Sequence, residues 1–162
     1  MPSYRGPVIH RAVLAEMSPR DVHDVLALRV AVFVVEQRCA YAEIDGRDVE
    51  PGAAHWWSRD DDGALTAYLR VLVEPEGHRI GRVVTAPTAR STGAGAALMR
   101  AALTTLPGPV VLGAQVRVQG FYERLGFVVS GPGYDEDGIP HVPMLRTPTA
   151  DAQEPGGSSM MC

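Results

Sequence analysis

The chain has 162 residues, of which 46% are hydrophobic and 21% are charged, and these values are typical of one globular domain with a sizeable core. The formal net charge of −4 argues against general nucleic-acid binding, and the apolar runs are too short to span a bilayer. No signal-peptide pattern opens the sequence, so we expect a soluble cytoplasmic protein.

The first half of the chain predicts one helix and four strands. Ser18 and Pro19 form a favourable helix start, and apolar residues then recur at helical spacing to about Val35. A polar, irregular stretch follows from Glu36 to Pro51. Apolar patterns predict strands at Val8–Ala15, Ala54–Ser58, Ala64–Val73 and His78–Thr85.

The second half predicts two helices and three strands. An Ala- and Leu-rich helix ends at Pro107-Gly108-Pro109, and a shorter helix covers Arg117–Leu125. Asp137-Gly138 is typical of a hairpin turn. The predicted strands are Val110–Ala114, Gly126–Ser130 and Ile139–Arg146. Residues 148–162 are rich in Pro, Gly and Ser, so we expect one domain over 1–147 and a disordered tail after it.

This order of elements predicts an α+β fold. A strand and a helix precede three antiparallel strands, and a crossover helix then leads to a strand, a short helix and two closing strands. Such an order gives a mixed, mostly antiparallel central sheet with the crossover helix on one face.

The most informative stretch is a strand–loop–helix unit in the middle of the chain. The strand ending at Thr85 leads into a loop of small residues, Arg90 to Ala96, which opens the Ala-rich helix. Backbone N–H groups at a helix start attract anions, glycines let a ligand approach the backbone, and Arg90 adds a charged donor. A tight turn with close helix packing would use the same glycines. Walker-type and dinucleotide-binding loops do not fit, because the chain has no Lys and Leu98 replaces the third Gly.

Two motifs resemble those of the GNAT acetyltransferases. The loop has the pattern R-x-x-G-x-G/A at Arg90, Gly93 and Gly95. The segment Phe121-Tyr122-Glu123-Arg124-Leu125-Gly126-Phe127 matches F-Y-x-x-x-G-F, and the two motifs stand in the order typical of that superfamily.

Two further segments, Leu28–Gln37 and Tyr134–His141, resemble the ElaA branch of the superfamily. The resemblance covers roughly Val8 to Arg146. It implies a GNAT-type sheet with helices on both faces, in which the strand ending at Thr85 and the strand starting at Val110 splay apart to admit a pantetheine arm.

The resemblance also implies that acetyl-CoA is the co-substrate. In this superfamily the loop holds the pyrophosphate, and strand backbone holds the pantetheine arm. Gln115 stands where many members have Asn, and it offers the same donor and acceptor on a longer side chain. The residues expected to contact the cofactor are Val83, Val84, Thr85, Arg90, Ser91, Thr92, Gly93, Ala94, Gly95, Ala96, Gln115 and Tyr122.

Tyr122 is the expected general acid. Attack on a thioester expels a thiolate, and a phenol with an ordinary pKa of about 10 is a suitable proton donor to a thiol with a pKa of about 8.5. In the superfamily this Tyr points at the sulfur. The structural alternative is a core aromatic residue at a helix start.

A general base is also expected, because an alkylamine is mostly protonated at neutral pH. Glu36 and His55 are the first candidates, Glu36 because it follows an apolar run and His55 because it precedes two Trp in a strand. Further candidates are Glu136, Asp137, His141 and water. A structural role is the alternative for each side chain.

Arg29, followed by Glu43, Asp45 and Asp48, forms a second pattern. It partly resembles the N-terminal pattern of acyl-homoserine lactone synthases, which share the GNAT fold, although Tyr41 replaces the expected Trp. The alternative is that Arg29 pairs with these carboxylates and fixes the polar loop over the sheet.

Together these observations predict an N-acetyltransferase that moves an acetyl group from acetyl-CoA to a primary amine by direct attack in a ternary complex. The acceptor is a small-molecule amine or an amine of a peptide or protein, and the chain is a monomer or homodimer that does not bind nucleic acid or membranes. The five His are scattered, so no metal site is expected. Two alternatives are an acyl-homoserine-lactone-synthase-like acyltransferase and a non-catalytic acyl-CoA-binding module.

Overall fold

The computed structural model describes residues 6–148, which form an eight-stranded mixed sheet with helices packed against it. The strands are β1 (Val8–Ala12), β2 (Ala54–Arg59), β3 (Leu65–Glu74), β4 (Gly77–Thr85), β5 (Val110–Gln115), β6 (Val128–Val129), β7 (Tyr134–Glu136) and β8 (Ile139–Arg146). The α-helices are α1 (Pro19–Arg29), α2 (Ala94–Leu103) and α3 (Gln119–Glu123), and a π-helix spans Val30–Glu36. Beyond Pro148, the predicted tail lies outside the described residues.

The sheet order is β1-β2-β3-β4-β5-β8-β6, and β7 also pairs with β8. Only β4 and β5 are parallel, and only His78–Val110 and Arg79–Val111 are in register between them. Both strands continue beyond this point, β4 to Thr85 and β5 to Gln115. The strands therefore diverge, which confirms the predicted α+β fold with a splayed strand pair.

Each face of the sheet carries its own buried cluster. One face packs against α2, mainly through Leu98, Met99 and Ala102, which are almost fully buried. The other face packs against α1 and the π-helix through Val25, Val32, Phe33, Trp57, Tyr68 and Val84. Because both faces bury apolar side chains in this way, helices lie on both sides of the sheet as expected.

The first helix begins as predicted but ends differently. The Ser18 hydroxyl accepts a hydrogen bond of 3.0 Å from the Asp21 N–H, and Pro19 occupies the first turn. The predicted α-helix to Val35 is wrong after Arg29, where the wider π-helix takes over. Four of its seven residues are Val, whose β-branched side chains crowd the preceding turn of an α-helix.

The closing strands also differ from the prediction. The turn at Asp137-Gly138 is confirmed, with φ of 51° and 78°. It adds β7, which was not predicted because its sequence, Tyr-Asp-Glu, lacks an apolar pattern. The helix α2 ends three residues early, at Leu103, since the Thr104 and Thr105 hydroxyls donate to backbone carbonyls of the last turn.

Candidate active site

The divergence of β4 and β5 opens a cleft of about 1390 Å³ in the sheet. One part, here called the loop end, is lined by Thr85, the loop before α2 and Tyr122. The other part, here called the polar end, is lined by side chains of β3, β7 and β8 and of the segment after the π-helix. The two parts form one continuous space, so a ligand at one end lies next to a ligand at the other.

The backbone of the loop end is shaped for close approach. Gly93 caps α2 with a φ of 85°, a left-handed conformation that favours glycine. The first hydrogen bond of α2 runs from the Ala97 N–H to the Gly93 carbonyl at 3.0 Å. The N–H groups of Gly95 and Ala96 precede that bond, so they are available to an anion at the positive end of the helix.

Gly95 also allows the close helix packing that the sequence analysis gave as the alternative role of the loop glycines. A Cβ on Gly95 would lie 2.7 Å from the Thr85 Oγ1 and 3.8 Å from the Phe121 ring. Only glycine therefore lets the start of α2 lie this close to the end of β4. The two interpretations of the glycine loop are compatible, because close packing places the helix start on the cleft.

The expected cofactor residues divide into two groups. Most of them line the cleft: Val83, Val84, Thr85, Arg90, Ser91, Gly93, Gly95, Ala96, Gln115 and Tyr122. Thr92 and Ala94 do not, because the Thr92 hydroxyl donates to the Ala89 carbonyl and the Ala94 side chain is buried in the core beside α2. The side chains of these two residues shape the loop, and their contact with the cofactor stays a prediction.

Strand β4 contains a bulge that the sequence analysis missed. Its register with β3 passes from the Tyr68–Val84 pair to the Arg70–Gly81 pair, so Arg82 and Val83 share one partner position. Arg82 has a φ of 53°. A bulge leaves backbone groups outside the ladder, and here it lies on the cleft wall. Gly81, an isolated glycine directly before Arg82 in the strand pattern, is the local signal that could have indicated it.

Gln115 ties the end of β5 to the segment after the π-helix. Its Nε2 donates to the Gln37 Oε1 at 3.0 Å, and its Oε1 accepts from the Arg117 Nε at 3.0 Å. The side chain lines the cleft, and a ligand that hydrogen-bonds to it must compete with these two partners.

Tyr122 lies on α3 and is 8% exposed. Its ring packs edge-on against Phe121 and Phe127, with centroids 5.0 Å and 6.1 Å away. Burial raises the pKa of Tyr122, with no contribution from a charge or hydrogen bond among the described residues. The phenol thus keeps its proton well above neutral pH at the wall of the cleft.

Glu36, at the end of the π-helix, is paired with the loop. Its two carboxylate oxygens accept hydrogen bonds from the Arg90 Nη1 and Nη2, each at 2.8 Å. The hydrogen bonds from Arg90 lower the pKa of Glu36. A carboxylate held ionised in this way is a weak proton acceptor, which disfavours its expected role as the general base.

His55 lies on β2, is fully buried and does not line the cleft. Its Nε2 lies 3.0 Å from the Asp48 carbonyl oxygen, which only accepts, so Nε2 carries the proton. Its Nδ1, 2.7 Å from the Tyr68 hydroxyl, then accepts. Burial lowers the pKa of His55. The expectation that His55 acts as a base is therefore corrected: it is a structural residue.

His141, on β8, has the geometry of a base on the cleft wall. Its Nδ1 lies 2.7 Å from the Ile139 carbonyl oxygen and therefore carries the proton, which leaves the Nε2 lone pair free. The Glu136 carboxylate lies 3.5 Å from Nε2, where it stabilises the ring once Nε2 has accepted a proton. Tyr134, which the sequence analysis did not single out, stacks on His141 at 5.5 Å. Strand alternation after the hairpin turn would have indicated that these side chains share a face.

Arg29 is paired with carboxylates of the pattern Glu43, Asp45 and Asp48 that follows it in the sequence. The side chain has no exposed surface. Its Nε donates to Glu43 at 3.0 Å, its Nη1 to Asp48 at 2.8 Å, and its Nη2 to the Glu43 carbonyl at 2.9 Å. Arg29 therefore fixes the polar segment over the sheet. This is the structural alternative that the sequence analysis set beside the resemblance to lactone synthases.

Two more arginines complete this cluster. Arg70 donates from Nη1 to Asp45 at 2.8 Å and to Asp48 at 3.0 Å. Arg82 pairs with Glu43 at 2.8 Å and with Asp45 at 3.2 Å. We call these six residues, the three arginines and the three carboxylates, the arginine network. Arg70, Arg82 and Asp45 reach the polar end of the cleft, so the network also forms part of its wall.

Residues 6–148 contain neither a membrane-spanning helix nor a metal-binding cluster. None of the helices there is both long and apolar enough to cross a membrane. The same residues contain no cluster of His, Cys, Asp and Glu that would hold a metal ion.

Comparison with known proteins agrees with this geometry. Residues 13–147 match the family described as acetyltransferase (GNAT) domain. A UPF0039 protein of Mycobacterium tuberculosis is 39% identical over 152 residues, covering 91% of this chain and 97% of that protein. Protein ElaA of Escherichia coli is 39% identical over 142 residues, covering 82% of this chain and 91% of that protein. The crystal structure of an acyl-CoA N-acyltransferase from Pseudomonas aeruginosa is 39% identical with a TM-score of 0.80, covering 88% of this chain and 100% of that one. The chain belongs to the GNAT acetyltransferase family, with ElaA and UPF0039 proteins among its relatives.

Proposed function

We propose that this chain is an N-acetyltransferase that transfers the acetyl group of acetyl-CoA to a primary amine by direct attack in a ternary complex. Family membership supports an acyl-CoA substrate. The observation that carries the proposal is that the buried Tyr122 phenol lines the same cleft as the anion-binding start of α2 and the bulge of β4.

The loop end fits the phosphates and the pantetheine arm of CoA. The N–H groups of Gly95 and Ala96 and the guanidinium of Arg90 offer donors to phosphate oxygens. The bulge at Arg82 and Val83 leaves strand backbone available to an amide or a thioester carbonyl. CoA supplies the acyl group as a thioester, and the chain supplies donors of the kind that its phosphate and carbonyl oxygens accept.

Tyr122 is the general acid of this proposal. As the amine nitrogen bonds to the acyl carbon, the carbon–sulfur bond breaks and the Tyr122 hydroxyl gives its proton to the leaving sulfur. Its raised pKa ensures that the phenol is protonated when the reaction starts. Solvent then returns a proton to the phenol.

His141 is the general base of this proposal. Its free Nε2 takes the proton that the amine nitrogen must lose, directly or through a water molecule. Glu136 stabilises the charged ring. By holding the amine next to the acyl carbon, the cleft also makes the attack effectively intramolecular, which supplies much of the rate.

The test is an amine panel assayed for CoA release with a thiol reagent. Tyr122→Phe keeps the ring and should lower turnover by about 10²–10⁴. CoA affinity, measured by calorimetry, should change far less, since one hydrogen bond contributes about 0.5–1.5 kcal/mol. Tyr134→Phe is the matched control, a cleft tyrosine with no assigned acid role. In the same assay, His141→Ala should lose activity that added imidazole partly restores.

Two outcomes would contradict the proposal. A rate that is unchanged in Tyr122→Phe removes the acid role from this residue. CoA binding without turnover of any amine in the panel favours the non-catalytic acyl-CoA-binding module instead.

A further inference from the structure

The polar end of the cleft contains a guanidinium whose hydrogen bonds are incomplete. The Arg70 side chain is only 4% exposed, yet it lines the cleft. All of its hydrogen bonds come from Nη1, which serves Asp45 and Asp48. Its Nε is buried and has no hydrogen-bond partner in the described part of the chain. Within residues 6–148, Nη2 has no hydrogen-bond acceptor either, although it is not enclosed as Nε is.

A buried guanidinium with unused donors is costly unless something outside the chain accepts from it. The unused donors are Nε and Nη2, and a guanidinium donor gives a carboxylate oxygen a charge-assisted hydrogen bond. Nε is shielded, so Nη2 is the donor that a ligand reaches first. Arg70 therefore offers a place for an anion that the arginine network itself does not fill.

The sheet leaves open space between Arg70 and the opposite wall. In the register of β3 and β4, Arg70 lies opposite Gly81. Gly81 on β4 and Gly113 on β5 each lie two residues beyond the last pair at which those two strands are in register. A Cβ on Gly81 would meet nothing within 4 Å. A Cβ on Gly113 would collide with the Tyr134 hydroxyl, so the absence of a side chain there lets the Tyr134 ring lie across β5. Two glycines thus form the floor between the walls.

The two walls differ in charge. Arg70, Arg79 and Arg82 line the side formed by β3 and β4, and the carboxylates Asp45 and Glu74, which pair with them, line it too. Glu136 and Asp137 line the side formed by the β7–β8 hairpin, next to His141. Glu136 is 61% exposed, and in the described part of the chain its ion-pair partner is His141. A small molecule lying between the walls is therefore favoured when it carries a negative group at one end and an ammonium at the other.

We infer that the acceptor is a short amino carboxylate, such as a free amino acid, with its carboxylate at Arg70 and its amine toward His141 and Glu136. This inference rests on the proposed transfer to an amine and narrows its substrate class. The backbones of β3 and β8 are three strand positions apart, which is more than about 14 Å at about 4.8 Å each because β4 and β5 diverge here, and side chains reach inward from both. The lysine of a protein, by contrast, brings no carboxylate to Arg70.

The test compares three forms of the same acceptor in the full chain with acetyl-CoA. Alanine, leucine and phenylalanine are each assayed as the free amino acid, as the amide and as the decarboxylated amine. Free amino acids should show the highest kcat/KM, by about 10–100-fold, as expected for a charged hydrogen-bonded pair. The same ligands are titrated into CoA-saturated protein by calorimetry, so that binding is measured apart from turnover.

Arg70→Lys separates the anion site from the network. Lys keeps a charge for Asp45 and Asp48 but has no second edge for a carboxylate. It should raise KM for free amino acids by about 10–100-fold, with a smaller change in kcat, and leave the amides unaffected. Arg79→Lys is the matched control on the same wall, half-exposed and paired with Glu74, and should keep the carboxylate preference.

The outcomes separate this inference from the proposed function. Equal or better use of amides and amines overturns the carboxylate site and leaves the acetyltransferase in place. Binding of free amino acids without turnover supports the Arg70 site and contradicts acetyl transfer. No binding and no use of any amino acid overturns the inference. If Arg70→Lys does not fold, the comparison of the three acceptor forms in the parent chain decides.

Discussion

The two ends of the cleft are built in opposite ways. The loop end comes from one continuous stretch, in which β4 leads into the start of α2 and the recognition groups are backbone N–H groups. The polar end comes from side chains that are distant in sequence, and hydrogen bonds of the arginine network join residues 14 to 39 positions apart. The first construction depends on small residues at fixed positions, and the second depends on the whole fold.

This difference predicts different responses to mutation. Removing an arginine from the arginine network leaves its buried carboxylates with less compensating charge, so the cost falls on folding. Changing the surface of the loop end leaves the core intact, so the cost falls on ligand binding. The following variants test this division, starting with the largest effect.

Arg29→Met should lower the free energy of unfolding by about 3–5 kcal/mol, because Glu43 and Asp48 stay buried and each loses one of its two arginine partners. Urea denaturation at neutral pH measures this change. The control is Arg20→Met, whose guanidinium is 83% exposed and pairs with Asp24 on the surface, and about 0–1 kcal/mol is expected there. Equal effects in the two variants would show that the network contributes no more than a surface ion pair.

Ala96→Glu should weaken CoA binding by about tenfold, or 1.4 kcal/mol, because a carboxylate in the first turn of α2 repels the phosphates. Folding should be preserved, since an acidic residue at a helix start is favourable by about 0.3–1 kcal/mol. Calorimetric titration with CoA measures the effect, which should shrink at high salt. Ala96→Gln has the same size without the charge, and an equal loss in that variant would assign the effect to crowding.

The contrast between the two ends also explains what the sequence revealed. The Ser18 cap, the Asp137-Gly138 turn and the glycine loop were all predictable, because each is determined by residues adjacent in the chain. The splayed strands were predicted from the resemblance to the GNAT acetyltransferases, which rested in part on the motif of the loop. Local rules and the observed structure agree wherever backbone geometry carries the feature.

The features that sequence reasoning missed depend on distant contacts. Arg82 adopts its left-handed conformation in a bulge where its side chain is held by Glu43 and Asp45. His55 was correctly placed on a strand, but the segment carrying Asp48 covers it, which no nearby residue signals. The carboxylates after Arg29 partly resembled the pattern of acyl-homoserine lactone synthases in the sequence, and in the structure they are paired with arginines.

Glu36→Gln tests whether the Glu36 carboxylate competes with a CoA phosphate for the Arg90 guanidinium at the loop end. Without a ligand, both terminal nitrogens of Arg90 donate to Glu36, so a phosphate must displace that carboxylate before it can use Arg90. Glutamine keeps the shape but removes the charge, and CoA should then bind roughly two- to fivefold more tightly, as expected for loss of an exposed ion pair. The lowered pKa of Glu36 means that it stays ionised throughout neutral pH, so titration with CoA at pH 7 measures the full effect.

Arg90→Gln should weaken binding, and in that background Glu36→Gln should have no further effect, because the residue it competes for is gone. Weaker binding in Glu36→Gln alone would instead show that Glu36 holds Arg90 in position for the phosphate, and that a charged side chain, as well as backbone, shapes the loop end.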